Sequence, residues 1–246
     1  MTWFARLYLW ATYRLYDEFA WAYDLVSWLV SLGHWSSWRR IALDYVLPEG
    51  SPVVPEGTPV VVEGATTGQR VLEVAFGTGE LLLEMERRGV HAVGLERSPA
   101  MHRITARKLA RRGWQVPRVC GLSQAMPFVD GWFDALVCTF PAGYILDPAT
   151  LCEVARVLRP PDRATGRMGG RLVVVGMAVT MDNRLWRQAM RFLFGVQEEA
   201  VWERFERLAA VAGLQVQVIE PTGRGWRVPV ILAERARSQS REGANR

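Results

Sequence analysis

The chain has 246 residues, half of them hydrophobic and 22% charged, enough for one large α/β domain with additions and too little for two full domains. Its net charge of +5 rests on arginine, with Lys108 the sole lysine, and the balance of four arginines to two glutamates after Ala233 places +2 of it at the C-terminus. No stretch reaches the ~18 apolar residues of a membrane span, Asp17, Glu18 and Asp24 interrupt any signal-like run, and Cys120, Cys138 and Cys152 have neither disulfide nor metal-ligand spacing. These features predict a cytoplasmic protein with reduced thiols and no metal site.

Residues 1–46 come first and are unusually aromatic. Met1 to Arg40 holds six of the eleven tryptophans, and Trp3, Trp10, Trp21, Trp28 and Trp35 are separated by 7, 11, 7 and 7 residues. Each of those steps returns within about 20° on a 3.6-residue helix, which predicts a single aromatic stripe. The segment reads as an N-terminal helical lid whose aromatics pack on the main domain or on a substrate. With Arg6 and Arg14 beside the stripe, peripheral contact with a membrane interface is the competing reading. Residues 47–69 are rich in Pro, Gly and Val and read as an insertion, where Pro59 argues against Val60–Val62 as a central strand.

The organising stretch is Arg70 to Glu80, RVLEVAFGTGE. Val71, Leu72 and Val74 predict a short buried strand, and Gly77-Thr78-Gly79 turns the chain into a helix beginning Leu81-Leu82-Leu83. Glycines at that junction let the backbone approach a ligand, and the helix N-terminus offers free N–H groups. A dinucleotide fingerprint would place a third glycine where Leu82 stands, so a pyrophosphate cofactor is disfavoured. Glu73, within the strand, would repel a pyrophosphate and suits a cationic amino group instead. Glu96, nineteen residues after Gly77, ends the apolar run Ala92 to Leu95 and can accept both hydroxyls of a ribose.

The motif Glu73-x-Ala75-x-Gly77-x-Gly79, followed by Gly94-Leu95-Glu96-Arg97-Ser98-Pro99-Ala100-Met101, resembles the first two cofactor motifs of the class I S-adenosylmethionine-dependent methyltransferases. Ala75 stands where that family often has glycine. The resemblance covers roughly residues 70 to 233. Further upstream, Tyr16-x-x-x-Ala20-x-x-Tyr23-Asp24, Ser31-Leu32-Gly33 and Trp38-Arg39-Arg40 are similar to the N-terminal segment of the quinone C-methyltransferases of ubiquinone and menaquinone biosynthesis. In such proteins this segment caps cofactor and substrate, which implies a cofactor-covering role for Tyr23. Ser27 and Trp35 depart from that pattern.

After Glu96, Ser98-Pro99 predicts an N-cap and first helical turn, with the helix running to about Arg112. Its run HRITARKLARR reads as a solvated basic face rather than a nucleic-acid site, so no nucleic-acid partner is expected. Val116 to Gly121 predicts a third strand. The block Leu122-Ser123-Gln124-Ala125-Met126-Pro127-Phe128 looks like the family's adenine-binding segment, although Leu122 replaces its usual aspartate. Phe133 to Val137 leads into a fourth strand whose loop, Cys138-Thr139-Phe140-Pro141-Ala142-Gly143-Tyr144, should face the reacting group. The quinone enzymes carry a different sequence in that loop. A helix from Pro148 to Val157, a fifth strand from Arg171 to Val175, helices over Asn183–Phe194 and Glu198–Ala212, and strands Leu214–Ile219 and Val228–Leu232 around a Pro221-Thr222-Gly223 turn follow.

The predicted fold is therefore a Rossmann-like, doubly wound, mostly parallel seven-stranded sheet with helices on both faces. Residues 70–233 form the domain and 234–246 a disordered tail. The resemblance implies S-adenosyl-L-methionine as cofactor, held by Tyr23, Glu73, Ala75, Gly77, Thr78, Gly79, Glu96, Arg97, Ser123, Gln124, Thr139 and Phe140. Methyl transfer rests on positioning and desolvation, and a base is needed only if the acceptor loses a proton. His34 is the base candidate among the three histidines, and Tyr144 is placed beside the acceptor. The acceptor is expected to be small and apolar, a quinone precursor or lipid. A catalytically silent cofactor-binding or membrane-associated scaffold is the alternative, and the oligomeric state is left open.

Overall fold

Strand β1 (Arg70–Val74) is buried from Val71 onward, as an unbroken apolar run predicts for a central parallel strand. The computed structural model describes residues 23–46, 69–162, 164, 166, 168–177, 179–184, 198–223 and 225–235. β1 lies parallel to β2 (His91–Glu96) on one side and to β4 (Ala135–Thr139) on the other. Beyond these lie β3 (Arg118–Cys120) beside β2 and β5 (Arg171–Val175) beside β4, all parallel. Strand β10 (Val230–Arg235) then enters antiparallel between β5 and β7 (Leu214–Ile219). The seven-stranded order is β3-β2-β1-β4-β5-β10-β7, so the winding direction reverses between β1 and β4. A crevice outside the carboxyl ends of those two strands is the place such a sheet offers to a ligand.

Helices cover both faces because successive strand side chains alternate sides. On one face Val71, Val137 and Val173 meet Trp38, Leu43 and Val46 of α2 (Trp35–Val46), and Leu81 and Leu82 of α3 (Glu80–Arg87). Leu109 of α4 (Pro99–Ala110) joins the same layer. On the other face Leu72, Val74 and Leu136 meet Leu151 and Val154 of α5 (Pro148–Val157), and Phe205 and Ala209 of α6 (Glu198–Val211). Both proline-led helices are capped, the first by the expected Ser98 and the second by Asp147. Ser98 Oγ accepts from the Met101 N–H at 3.4 Å, and Asp147 Oδ1 accepts from the Ala149 N–H at 3.0 Å. Among the described residues no helix is long and apolar enough to cross a membrane.

Three expectations need correction. The tryptophan stripe does not continue through Trp28 and Trp35, because Leu32 and Gly33 adopt left-handed backbone at φ 51° and 84° and end α1 (Tyr23–Val30). Ser31 Oγ then accepts from the Trp35 N–H at 2.9 Å and starts α2 in a new direction. The last strand spans Val230–Arg235 rather than Val228–Leu232 and runs past the expected domain end at 233, since Glu234 lies opposite Arg171 and Arg235 opposite Leu214. Between β7 and β10 the chain makes more than a turn. Strands β8 (Thr222–Gly223) and β9 (Trp226–Arg227) pair with each other, and β6 (Thr180–Met181) pairs with β9, in a small second sheet. Trp3, Trp10 and Trp21, the insertion up to residue 68, the part of the expected helix over Asn183–Phe194 beyond Arg184, and residues 236–246 lie outside the described residues.

Gly79 ends the turn before α3 at φ 78°, and a Cβ there would fall inside the Thr105 side chain of α4. Its smallness therefore sets the spacing of two helices. Gly79→Ala is expected to destabilise the protein by about 2–4 kcal/mol from overpacking and left-handed strain. Adding Thr105→Ala should restore the overpacking part, measured by urea unfolding. A Gly79→Ala variant as stable as wild type would refute the packing argument.

Candidate active site

The crevice at the switch point is a cavity of about 460 Å³. Its floor is the turn after β1. Ala75 sits there at φ 58° and Gly77 at φ 55°, and a Cβ on Gly77 would meet nothing within 4 Å. A left-handed alanine is strained, which explains why glycine suits this position. The turn is held from below by Glu96 at the end of β2. Its buried carboxylate accepts from the Gly77 N–H at 3.0 Å through Oε2 and from the Ser98 N–H at 2.8 Å through Oε1. Glu96 thus fastens two cavity loops to one group.

Glu73 faces the same end of the cavity and is fully buried. Its Oε2 has no hydrogen-bond partner. Burial pushes the Glu73 carboxyl up to about 8; the Arg39 guanidinium opposes that rise and the Glu96 carboxylate adds to it. At neutral pH Glu73 is therefore mostly protonated until a cation reaches it.

The far end is built from the loops after β3 and β4. Ser123 Oγ lies 3.0 Å from Thr150 Oγ1 and 3.2 Å from Gln124 Oε1, and Gln124 Nε2 donates to Asp147 Oδ2 at 3.1 Å. Leu122, at 51% exposure, lies open on the cavity wall where a carboxylate was looked for. Arg97, Thr139 and Tyr144 also line the space. Tyr144 Oη and Cys138 Sγ are 2.8 Å apart. Burial pushes the Cys138 thiol up to about 12 against the effect of that bond, so it stays a neutral thiol and is no nucleophile.

The N-terminal helices close one wall. Thr78 Oγ1 donates to Asp24 Oδ1 at 2.6 Å, and Lys108 Nζ donates to Asp24 Oδ2 at 2.7 Å and to Glu80 Oε1 at 2.6 Å. Burial alone would raise the Asp24 carboxyl, but the bonds from Lys108 and Thr78 outweigh it and hold it below the ordinary range. The sole lysine of the chain thus ties α1 to α4 across the cavity turn. From α2, Trp35 and Arg39 line the cavity, and the Trp35 ring stacks on Phe140 with centroids 3.8 Å apart.

Eleven of the fourteen expected residues line this one cavity: Glu73, Ala75, Gly77, Thr78, Glu96, Arg97, Ser123, Gln124, Thr139, Phe140 and Tyr144. Gly79 does not; it backs onto Thr105. The Tyr23 side chain is outside the described residues. His34 also lies off the cavity, against Trp38 at 5.8 Å and Trp226 at 6.5 Å, because the break at Leu32–Gly33 turns positions 35 and 39 inward instead. Trp35, Arg39 and Asp147 were not singled out in the sequence as cavity residues. The one available signal was the i, i+4 spacing of Trp35 and Arg39, which puts both on one helix face. Among the described residues no group of three His, Cys, Asp or Glu side chains could hold a metal ion.

Residues 71–161 match the family model described as a methyltransferase domain. The chain is 35% identical over 164 residues to a demethylmenaquinone methyltransferase of Thermus thermophilus, across 65% of this chain and 63% of that protein. It therefore spans just under two thirds of that relative. It is 27% identical over 212 residues to the ubiquinone/menaquinone biosynthesis C-methyltransferase UbiE of Geobacter sulfurreducens, across 84% of this chain and 73% of that one. Among solved structures, the fold is similar to geranyl diphosphate methyltransferase in complex with GPP and sinefungin, at a TM-score of 0.55 and 17% identity over 82% of this chain and 78% of that one. A SAM dependent methyltransferase from Aquifex aeolicus gives 0.51 and 18% over 69% and 83%.

Glu73 offers a direct test of the cavity's electrostatics. Its carboxyl lies near 8 in the folded protein against 4.5 for an ordinary glutamate. The stability contributed by the neutral acid is complete below 4.5 and is lost as the pH rises through about 8. Urea unfolding of the unliganded protein across that window should show stability falling with pH, and Glu73→Gln should flatten the fall. A wild-type profile as flat as the variant's would mean that Glu73 is already ionised.

Proposed function

We propose that this chain, whose residues 71–161 match the family model described as a methyltransferase domain on a doubly wound sheet, transfers a methyl group from S-adenosylmethionine to a small, apolar acceptor of the quinone-precursor kind. One observation carries the reading: a buried carboxyl oxygen of Glu73 without a partner, beside a glycine turn that Glu96 holds open. A cationic amino group is the ligand that Glu73 lacks, and its approach would draw the proton off the carboxyl. The space beside Gly77 is open, with no atom within 4 Å of where a Cβ would stand, and leaves room for ligand atoms. Each Glu96 oxygen already accepts one backbone N–H and keeps further lone pairs for ribose hydroxyls. Leu122 supplies a flat apolar surface and Gln124 a polar edge for the base. The volume of about 460 Å³ lies in the ordinary range for small-molecule sites.

When bound, S-adenosylmethionine would supply a methyl group made electrophilic by its sulfonium sulfur. The protein's part is to orient and to exclude water. Thr78 and Asp24 hold the N-terminal helices over the cavity, and the Trp35–Phe140 stack forms a dry wall. Thr139, Phe140 and Tyr144 would face the acceptor. The relatives named for demethylmenaquinone and ubiquinone/menaquinone methylation support an acceptor of that class. The exposed Leu25, Trp28, Leu29 and Leu32 beside this wall support peripheral contact with the apolar phase in which such acceptors reside. No residue in the cavity is assigned as a base.

Calorimetric titration with S-adenosylmethionine and S-adenosylhomocysteine tests the proposal. Binding is expected in the micromolar range, with close to one proton released per ligand at pH 7, read from the dependence of the heat on buffer ionisation enthalpy. Glu73→Gln should weaken binding tenfold or more, about 1.4 kcal/mol, and abolish the proton release. Absence of binding by the folded wild type would overturn the proposal.

A further inference from the structure

A surface helix ordinarily turns its apolar stripe toward the core, and α1 does the reverse. From Asp24 to Leu29 only Ser27 is buried, and none of these side chains joins either core layer. Leu25, Trp28 and Leu29, with Leu32 just beyond, are each more than half exposed. Large apolar side chains set so close together mark an interaction site rather than scattered surface residues. What holds α1 down is polar: Asp24 bonds to Thr78 and to Lys108 of α4.

Lys108 decides what lies beside that patch. Helix α4 presents Met101, Thr105 and Leu109 to the core and Arg103 and Arg107 to solvent, with Arg111 exposed at its C-terminal end. Arg103, Arg107 and Arg111 recur every four residues and so follow one stripe. Arg111 stands three residues after Lys108, which makes the two neighbours on the helix surface. The bond from Lys108 to Asp24 therefore brings the apolar face of α1 up to the arginine stripe of α4. From Arg97 to Arg118 the chain has no acidic residue. The carboxylates at the junction, Asp24 and Glu80, are both spent on Lys108. Among the described residues Arg107 and Arg111 form no ion pair.

An apolar patch alone would fit several partners, and the arginines narrow the choice. Positive charge beside exposed leucine and tryptophan side chains matches a bilayer with anionic headgroups, where apolar groups reach the acyl boundary and guanidiniums stay at the headgroups. A second copy docked by the same face would set these arginines against one another.

We propose that α1 and the arginine stripe of α4 form one docking surface for an anionic lipid membrane, with Leu25, Trp28, Leu29 and Leu32 inserted and Arg103, Arg107 and Arg111 on the headgroups. For its purpose the surface rests on the methyltransferase reading, since an apolar acceptor would reach the cavity from that membrane. It adds to the apolar contact of α1 a second helix and a requirement for negative charge. Thr78 ties α1 to the cavity turn, so a docked α1 sets the cavity beside the lipid.

Co-sedimentation of the full chain with extruded vesicles, without acceptor, tests the proposal. Vesicles of phosphatidylcholine and phosphatidylglycerol in equal parts should bind the wild type at least about tenfold more tightly than phosphatidylcholine alone, and raised salt should remove most of that difference. Arg107→Glu with Arg111→Glu should weaken binding to the anionic vesicles at least about tenfold and leave binding to phosphatidylcholine unchanged. Arg107→Gln with Arg111→Gln should give a smaller loss in the same direction. Leu25→Ser with Leu29→Ser should weaken binding to both kinds of vesicle. All three double variants should keep wild-type stability in urea and wild-type affinity for S-adenosylhomocysteine, because none of these side chains lines the cavity or packs in the core. Equal binding of the wild type to the two kinds of vesicle overturns the inference, as does anionic binding that survives both arginine pairs. Self-association of the wild type that Leu25→Ser with Leu29→Ser abolishes, without loss of vesicle binding, would assign the face to a second copy and overturn it too. Binding of S-adenosylhomocysteine without binding of vesicles removes the docking surface alone, whereas vesicle binding without S-adenosylhomocysteine binding removes the methyltransferase reading and leaves the surface standing.

Discussion

Two backbone N–H groups converging on the Glu96 carboxylate hold the candidate site together. Gly77 belongs to the turn after β1 and Ser98 to the cap of α4, and Glu96 at the end of β2 receives both. Charge-assisted bonds of this kind are stronger than those between neutral groups. Because the bonds are buried, loss of the carboxylate would leave two N–H groups without a partner. The geometry also explains why an acidic residue belongs at the end of the second strand before any ligand is considered. It first organises the loops that a ligand then meets.

That arrangement sets the electrostatics of the whole cavity. A second carboxyl, Glu73, lies close enough for Glu96 to disfavour its ionisation, and burial does the rest. The protein leaves Glu73 mostly protonated, with a backbone bond from Leu82 and its Oε2 without a partner, rather than pairing it with a cation. The positive charges at this wall are divided. Lys108 is spent on Asp24 and Glu80, which fixes the N-terminal helices, while Arg39 acts on Glu73 and Asp24 through its charge. One polar network has a structural duty, while Glu73 Oε2 and the Trp35 indole N–H stay unsatisfied beside the cavity. Unsatisfied buried groups are unusual enough in folded proteins to mark where a ligand belongs.

The parts legible in the sequence were those specified by local chemistry. The bounds of β5, β7 and α5 follow from an apolar run, an alternating run and a Pro-led cap, and all three stand where the pattern placed them. The glycine turn and the carboxylate nineteen residues later were legible because one strand and its loop set both. Two-residue strands such as β6, β8 and β9 carry no periodicity and exist only through their pairing. Asp24 and Thr78 are 54 residues apart, and nothing in either neighbourhood announces the bond between them. His34 reads as the better base because it lies in the lid segment while His91 starts a strand and His102 lies on a helix, but facing is a tertiary property, decided here by the left-handed Leu32 and Gly33 just before it. Gly79 was expected at the ligand for its freedom and is needed at Thr105 for its size.

The strain in the backbone shows how the cavity is kept open. Outside Leu32, the described non-glycine residues with left-handed backbone are Ala75 and Phe140, and both line the cavity. Each follows directly on one of the two strands that flank the switch point, Ala75 after β1 and Phe140 after β4. Each also keeps its own N–H in the sheet, donating at 2.7 Å to Leu95 and Val175 respectively. The ladder thus extends one residue past each strand and then turns sharply, so the two chains part above the sheet instead of running on. Left-handed conformations at residues with a Cβ cost about 1–3 kcal/mol each and persist only where the surroundings enforce them. Here a sheet bond enforces both, with the missing Cβ of Gly176 making room for the Phe140 ring. Opening the crevice therefore depends on backbone pairing in the buried sheet, which leaves the side chains of the turn free for ligand chemistry.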